Sequence, residues 1–352
     1  MSSISSADII SIVTAIISAT IAIISILLAN KNRKQLQLSD QRYQTAMKEI
    51  DLKHTEKISQ LESKLTTERD EVTARREYEY DARKKLYEAY EPLLFQFNEL
   101  SENALRRVIA IARESRRGKL EENKGWLSTS GYYLDSTMYR LLIPLATFNL
   151  MQKKLTMFDL KLNPFFHQQY LLAKLLYHTF AHDIRIASIE PEIKNYDPNL
   201  ILKEDSNFRK QGIFIGIIDN IADVLVIKDE SRVMTFGEFS KCMSNNSERK
   251  YFQPVVEILT NFRPRHAPVL WRILMAQAFI YRSILVNYEK HYEKENVNLK
   301  EILLSIPSNW RSKFDWRQEI DRNSIPDKLV LEDPFDAVET YLHERVRELK
   351  IN

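Results

Sequence analysis

The stretch IISIVTAIISATIAIISILLA, Ile9 to Ala29, contains no charged residue and runs directly into Asn30, Lys31, Asn32, Arg33 and Lys34. At a rise of about 1.5 Å per residue, a helix of this length is roughly 31 Å long, the thickness of a bilayer's hydrocarbon core. The sequence therefore predicts one transmembrane helix. Lys and Arg follow the run and none precede it, so the positive-inside rule sets the amino terminus outside and everything from Asn30 onward in the cytoplasm. A cleaved signal peptide fits poorly. Its positive charge would come before a shorter apolar run and a small-x-small cleavage site.

The faces of this helix differ. Ser11, Ala15, Ser18, Ala22, Ser25 and Ala29 recur at steps of four and three, which aligns them on one stripe, and Asp8 extends the stripe outward. The other faces are Ile, Val and Leu. Small residues in a span allow close helix packing. They also allow several copies to surround a narrow pore, with Asp8, Ser11, Ala15, Ser18, Ala22 and Ser25 lining it and Asp8 ringing the outer mouth. Both readings need self-association, with a tetramer among the stoichiometries left open.

Beyond the span, no proline occurs before Pro92 and no glycine before Gly118, so a helix can continue for many turns. Leu36, Tyr43, Met47, Ile50, His54, Ile58, Leu61, Leu65 and Val72 trace a coiled-coil seam. Consecutive steps of four around His54 make one stutter in it. A solitary charged helix is the alternative. The expected fold is thus mainly α: an N-terminal transmembrane helix (1–30), a coiled-coil stalk (31–90) and an α-helical cytoplasmic domain (91–352).

Composition narrows the function classes. The 352 residues carry a net charge of +3, too little for bulk nucleic-acid binding, and 44% are apolar, enough for a real core. Cys242 stands alone, so no intrachain disulfide is available. Six glycines, against an average near 7%, leave few tight turns and favour helices. No phosphate-cradling glycine loop, GxSxG or HExxH is present, and neither an enzyme nor a cofactor is expected. His178 and His182 share a helix face beside Asp183, with His167 upstream, but no third metal ligand is compelling.

The cytoplasmic part reads as successive helices. One ends near Arg117–Gly118, with basic residues at its carboxyl end and Gly118 as C-cap. The second starts near Asp135 or Ser136 and is bent or shortened by Pro144. The third starts at Pro164 after Asn163. Residues 190–210 form a long polar connection. Gln211–Ile227 is ambiguous between buried helix and strand, with helix favoured. Ser231–Asn246 reads as loop with a short helix, and Pro254 starts or interrupts another. A long core helix begins at Pro268, a short one covers Leu299–Leu304, and Trp310 and Trp316 mark a turn. A closing helix runs from Pro334, capped by Asp333, to about Leu349.

One constellation suggests a ligand. Arg106, Arg107, Arg113, Arg116, Arg117, Lys119 and Lys124 cluster at a helix end, followed by Trp126, Tyr132, Tyr133 and Tyr139 among Ser128, Thr129, Ser130 and Ser136. Phe262-Arg263-Pro264-Arg265-His266 and Phe208-Arg209-Lys210 are two further basic-aromatic clusters. Arginine forks grip phosphate oxygens and aromatic rings stack on bases. If folding joins two clusters, Arg113, Arg116, Arg117, Lys119, Lys124, Tyr132, Tyr133, Arg263 and Arg265 would bind a nucleotide or short single strand. The alternative is a solvated helix end beside core aromatics.

The layout of striped span, stalk and helical domain resembles the channel-forming effectors of Hailong anti-phage systems, and the words ENALRRVIAIARESRRG and GWLSTSGYYLDSTMYRLLIPLA are similar to those of bacterial membrane proteins. The resemblance covers the architecture and no residue is carried over by position. It implies a bacterial inner-membrane channel held shut by a DNA oligomer that a partner nucleotidyltransferase makes. The cluster near Arg113–Lys124 would then take that oligomer, and opening would collapse the ion gradient.

Overall fold

A computed structural model describes residues 6–120, 126–128, 131–155, 159–189, 196, 210–264, 266–315 and 334–351. Among these the chain is mainly helical. It divides into two units, Met1–Tyr78 and Glu79–Asn352.

The first unit is the amino-terminal part of helix α1, Ser6–Arg116. Every side chain described from Ile10 to Tyr78 is exposed. That includes the apolar run, which is long and apolar enough to cross a membrane. Thr14 and Thr20 donate their hydroxyls to the carbonyls of Ile10 and Ile16, each at 2.7 Å, so these polar atoms need no water. Asp8 lies outside the residues whose side chains are described.

In the second unit α1 becomes amphipathic. Leu86, Tyr90, Leu93, Leu94, Phe97, Ala104, Val108 and Ile111 are buried. The segment 79–90, the end of the expected stalk, contributes Leu86 and Tyr90 to this core. Pro92 lies inside the helix, and α1 ends in a left-handed Gly118 with φ +66°. Gly118 N–H donates to Ser115 O at 3.0 Å and Lys119 N–H to Glu114 O at 3.0 Å, the two bonds of a Schellman motif.

The other helices are α2 Tyr132–Leu155, α3 Pro164–His178, α4 Asp183–Ser188, α5 Ile215–Leu225, α6 Phe236–Ser244, α7 Asn246–Leu259, α8 Pro268–Tyr292, α9 Leu299–Leu304, α10 Trp310–Phe314 and α11 Pro334–Glu348. Short 3-10 turns cover Leu160–Leu162 and Thr179–Ala181. Helix α8 forms the centre, with Trp271, Leu274, Ile280, Tyr281 and Ile284 buried, and packs against α3, α4, α9 and α11. It too is long and apolar enough to cross a membrane, but its apolar surface is mostly covered by protein. Helix α2 packs against α3, α5, α6 and α7.

Several expectations are corrected. α2 starts at Tyr132, ahead of Asp135, because the amides of Leu134 and Asp135 both find Gly131 O. Pro144 does not shorten it, and Pro254 does not start α7; both lie inside helices. The segment Gln211–Ile227 is both things in sequence. Ile218, Ile221, Ala222 and Leu225 form the buried face of α5. Val226–Ile227 then pairs antiparallel with Arg232–Val233 as strands β1 and β2. Trp316 and Asp333 lie outside the described residues.

Two local devices hold the unit together. Asn163 caps α3: its Oδ1 accepts from Phe165 N–H at 3.0 Å and Phe166 N–H at 3.4 Å, while its Nδ2 donates to Tyr87 Oη at 2.9 Å. Phe166 meets Tyr87 and Tyr90 edge-on, with centroids 4.9 and 5.0 Å away. Helix α8 has only Ala267 at its N-cap, so a distant residue supplies the acceptor: buried Gln211 Oε1 takes Val269 N–H at 2.8 Å and Leu270 N–H at 3.1 Å. Gln211 N–H in turn donates to Tyr196 Oη at 2.8 Å, and Tyr196 donates to buried Asp183 at 2.5 Å. Gly212 follows because a Cβ there would fall 2.2 Å from Asp183 Cγ.

Candidate ligand site

The Schellman end of α1 gathers the basic cluster around one carboxylate. Glu114, with its side chain 6% exposed, accepts from Arg113 Nε at 3.0 Å and Arg117 Nη1 at 3.1 Å, and Lys119 Nζ stands 3.6 Å away. A count of cations alone misses the acid among them. The i, i+3 offset from Glu114 to Arg117 is the signal in the sequence. Arg116 points elsewhere, donating to Ser312 O at 2.7 Å. Arg106 pairs with Glu102.

Arg107 faces inward. It is 4% exposed, donates to Ser136 Oγ at 2.7 Å and lies 5.2 Å from the Trp126 ring centre. Burial, then the neighbouring Arg140, lower its guanidinium to about 10. Trp126 stacks on Tyr133 at 4.7 Å, Tyr133 meets Tyr132 edge-on, and Tyr132 meets Phe236. Tyr132 is 61% exposed. Tyr139 donates to Met234 O at 2.9 Å and serves packing instead.

Backbone bonds join the two groups. Trp126 N–H donates to Lys119 O at 3.3 Å, and Asn261 N–H to Leu127 O at 3.0 Å. Arg263 Nε donates to Leu120 O at 2.9 Å, so the second basic cluster does meet the first. The third does not join it through any described contact: Lys210 Nζ sits 4.2 Å from the Phe214 ring. Phe262 is core, 6.2 Å from Trp271. Lys124, Thr129, Ser130, Arg265, Phe208 and Arg209 lie outside the described residues.

The assembled feature is a basic helix end, partly neutralised by Glu114, beside an exposed aromatic row. No known protein family, curated protein or solved structure matches this chain. The chemistry of the site therefore rests on its own residues. Guanidinium and ammonium groups here can meet an anion, and Tyr132 and Tyr133 offer ring surface for stacking. Glu114 already occupies the inner donors, so an anion meets Arg113, Arg117 and Lys119 from their solvent side.

The histidines form a different arrangement. The His178 and His182 rings are 6.1 Å apart, and His182 Nδ1 lies 2.8 Å from Tyr341 Oη. Burial, then Arg345, lower both imidazoles, His182 to about 4. Among the described residues no three His, Cys, Asp or Glu converge as metal ligands. Cys242 is buried, its thiol pushed up to about 11 by burial and then by Glu248. That disfavours the reactive thiolate.

Proposed function

We propose that this chain is a homo-oligomeric membrane effector that forms a gated ion-conducting pore. The reading sets the amino terminus outside, the second unit in the cytoplasm and an anionic nucleotide or oligonucleotide on the Arg113–Lys119 end as the gating ligand. One observation carries it. The apolar span and the seam beyond it follow each other on one helix, and every side chain described along both is exposed. The Ser11–Ala29 stripe supplies weakly polar surface at the right period for a lumen. The anti-phage setting in a bacterial inner membrane follows from the resemblance in layout.

A second reading is favoured by Glu114, which satisfies the inner donors of the basic cluster without a ligand. In it the chain is a membrane-tethered scaffold. The two readings part in planar-bilayer conductance of the purified full-length protein beside Ser18→Leu. Discrete currents that the variant abolishes support the pore. Silence that persists after nuclease treatment and high-salt washing, with an unrelated apolar span replacing 9–29 at no loss, leaves the scaffold.

A further inference from the structure

The exposed apolar row on residues 36–72 has a phase break, and the break restricts what can cover it. Taking Leu36, Tyr43 and Ile50 as d positions and Met47 and His54 as a positions accounts for the first half. From Ile58 the a/d order resumes four residues late, with Ile58, Leu65 and Val72 at a and Leu61 at d. All of these are exposed, Leu61 at 60%. A helix that fills such a seam must break phase at the same height, because a stutter locally unwinds the supercoil. The segment that carries this break at this height is the same segment of another copy.

Flanking charges agree. After the stutter, Lys57, Lys64 and Glu71 fall at g, and Glu62, Arg69 and Arg76 at e. In parallel register each g meets the e five residues on in the other helix. Lys57 then faces Glu62 of the second copy and Glu71 faces Arg76, both attractive. Lys64 against Arg69 is the one like-charge pair. A slip of one heptad sets Lys57 against Arg69 and Lys64 against Arg76 on one flank, with Lys64 against Glu62 and Glu71 against Arg69 on the other, so the net attraction is lost, and it opposes the stutter with regular heptad.

We infer that residues 43–72 bind the same residues of a second copy, parallel and in register, with Ile58, Leu61 and Leu65 at the centre of the seam. This deepens the proposed self-assembly and rests on it for orientation, because copies inserted through the same span enter the stalk from the same end. Asp40 and Glu68, at a and d positions, bound the apolar centre, and His54 interrupts it.

The test is disulfide formation in full-length protein in vesicles, with the parent chain as background because Cys242 is buried. In a parallel register Leu61→Cys places two thiols across the seam, whereas Ser63→Cys points outward. Leu61→Cys is expected to give linked dimer at least fivefold above Ser63→Cys on adding a thiol oxidant. Lys57→Glu in the Leu61→Cys chain is expected to lower that yield severalfold, and adding Glu62→Lys to restore it. Equal linkage at both cysteines, no linkage at either, or no rescue by the double swap overturns the inference. Linkage without conductance refutes the pore and leaves the seam. Conductance without linkage does the reverse.

Discussion

Gln211→Leu tests whether a side chain distant in sequence caps the central helix. Gln211 is 2% exposed and its one oxygen accepts from Val269 N–H and Leu270 N–H. Both acceptor bonds vanish in leucine, which is close in volume, so the loss is polar. Ala267 offers no replacement, and both residues are fully buried, so water does not reach their amides readily. A buried donor left unsatisfied costs about 1–3 kcal/mol, and a lost N-cap about 0.5–2 kcal/mol. For two adjacent amides, whose costs overlap, we expect about 2–4 kcal/mol. That corresponds to a fall of roughly 5–10 °C in Tm for a unit of this size. The assay is thermal unfolding of the full-length protein in detergent, with amide exchange read at Val269 and Leu270. Those two amides should lose protection ahead of the rest of α8. A Leu variant within 0.5 kcal/mol of the parent, or one whose exchange rises evenly along α8, refutes the capping argument.

Other outcomes follow from single contacts. Gly212→Ala should destabilise by about 1–3 kcal/mol, since its Cβ would press on buried Asp183. Gly216→Ala and Gly237→Ala, with open space around the new methyl, should be neutral or stabilising in the same melts. For His182 the folded imidazole lies near 4, below the unfolded value of 6.5. The unfolded chain then binds more protons between these values, so stability is full above pH 6.5 and falls as pH drops toward 4. The imidazole is partly solvated, so we expect a loss on the order of 1–2 kcal/mol, read as Tm against pH and reduced in His182→Gln.

Much of the fold was legible where a signal is local. Pro164 after Asn163, Pro268 and Pro334 each mark a helix start because proline fixes φ, and Gly118 marks an end because glycine tolerates the left-handed conformation there. Thr235 and Glu238 form a capping box that the sequence also displays, at the start of the short helix expected within 231–246. What was not legible is tertiary. Nothing near Ala267 announces that Gln211 will cap α8. Pro144 and Pro254 looked like breakers because packing on neighbouring helices is invisible in one strand of text. The basic cluster is visible in the sequence, but its partial neutralisation is not, since the burial of Glu114 depends on the turn that follows it.

Asn163 holds two things with one planar amide. Its oxygen fixes the start of α3 and its nitrogen fixes Tyr87 on α1. The plate cannot rotate about its single bond and keep either contact while giving up the other. Displacement of Tyr87 and unwinding of the first turn of α3 are therefore coupled through one planar group, because turning the amide to follow one partner withdraws it from the other.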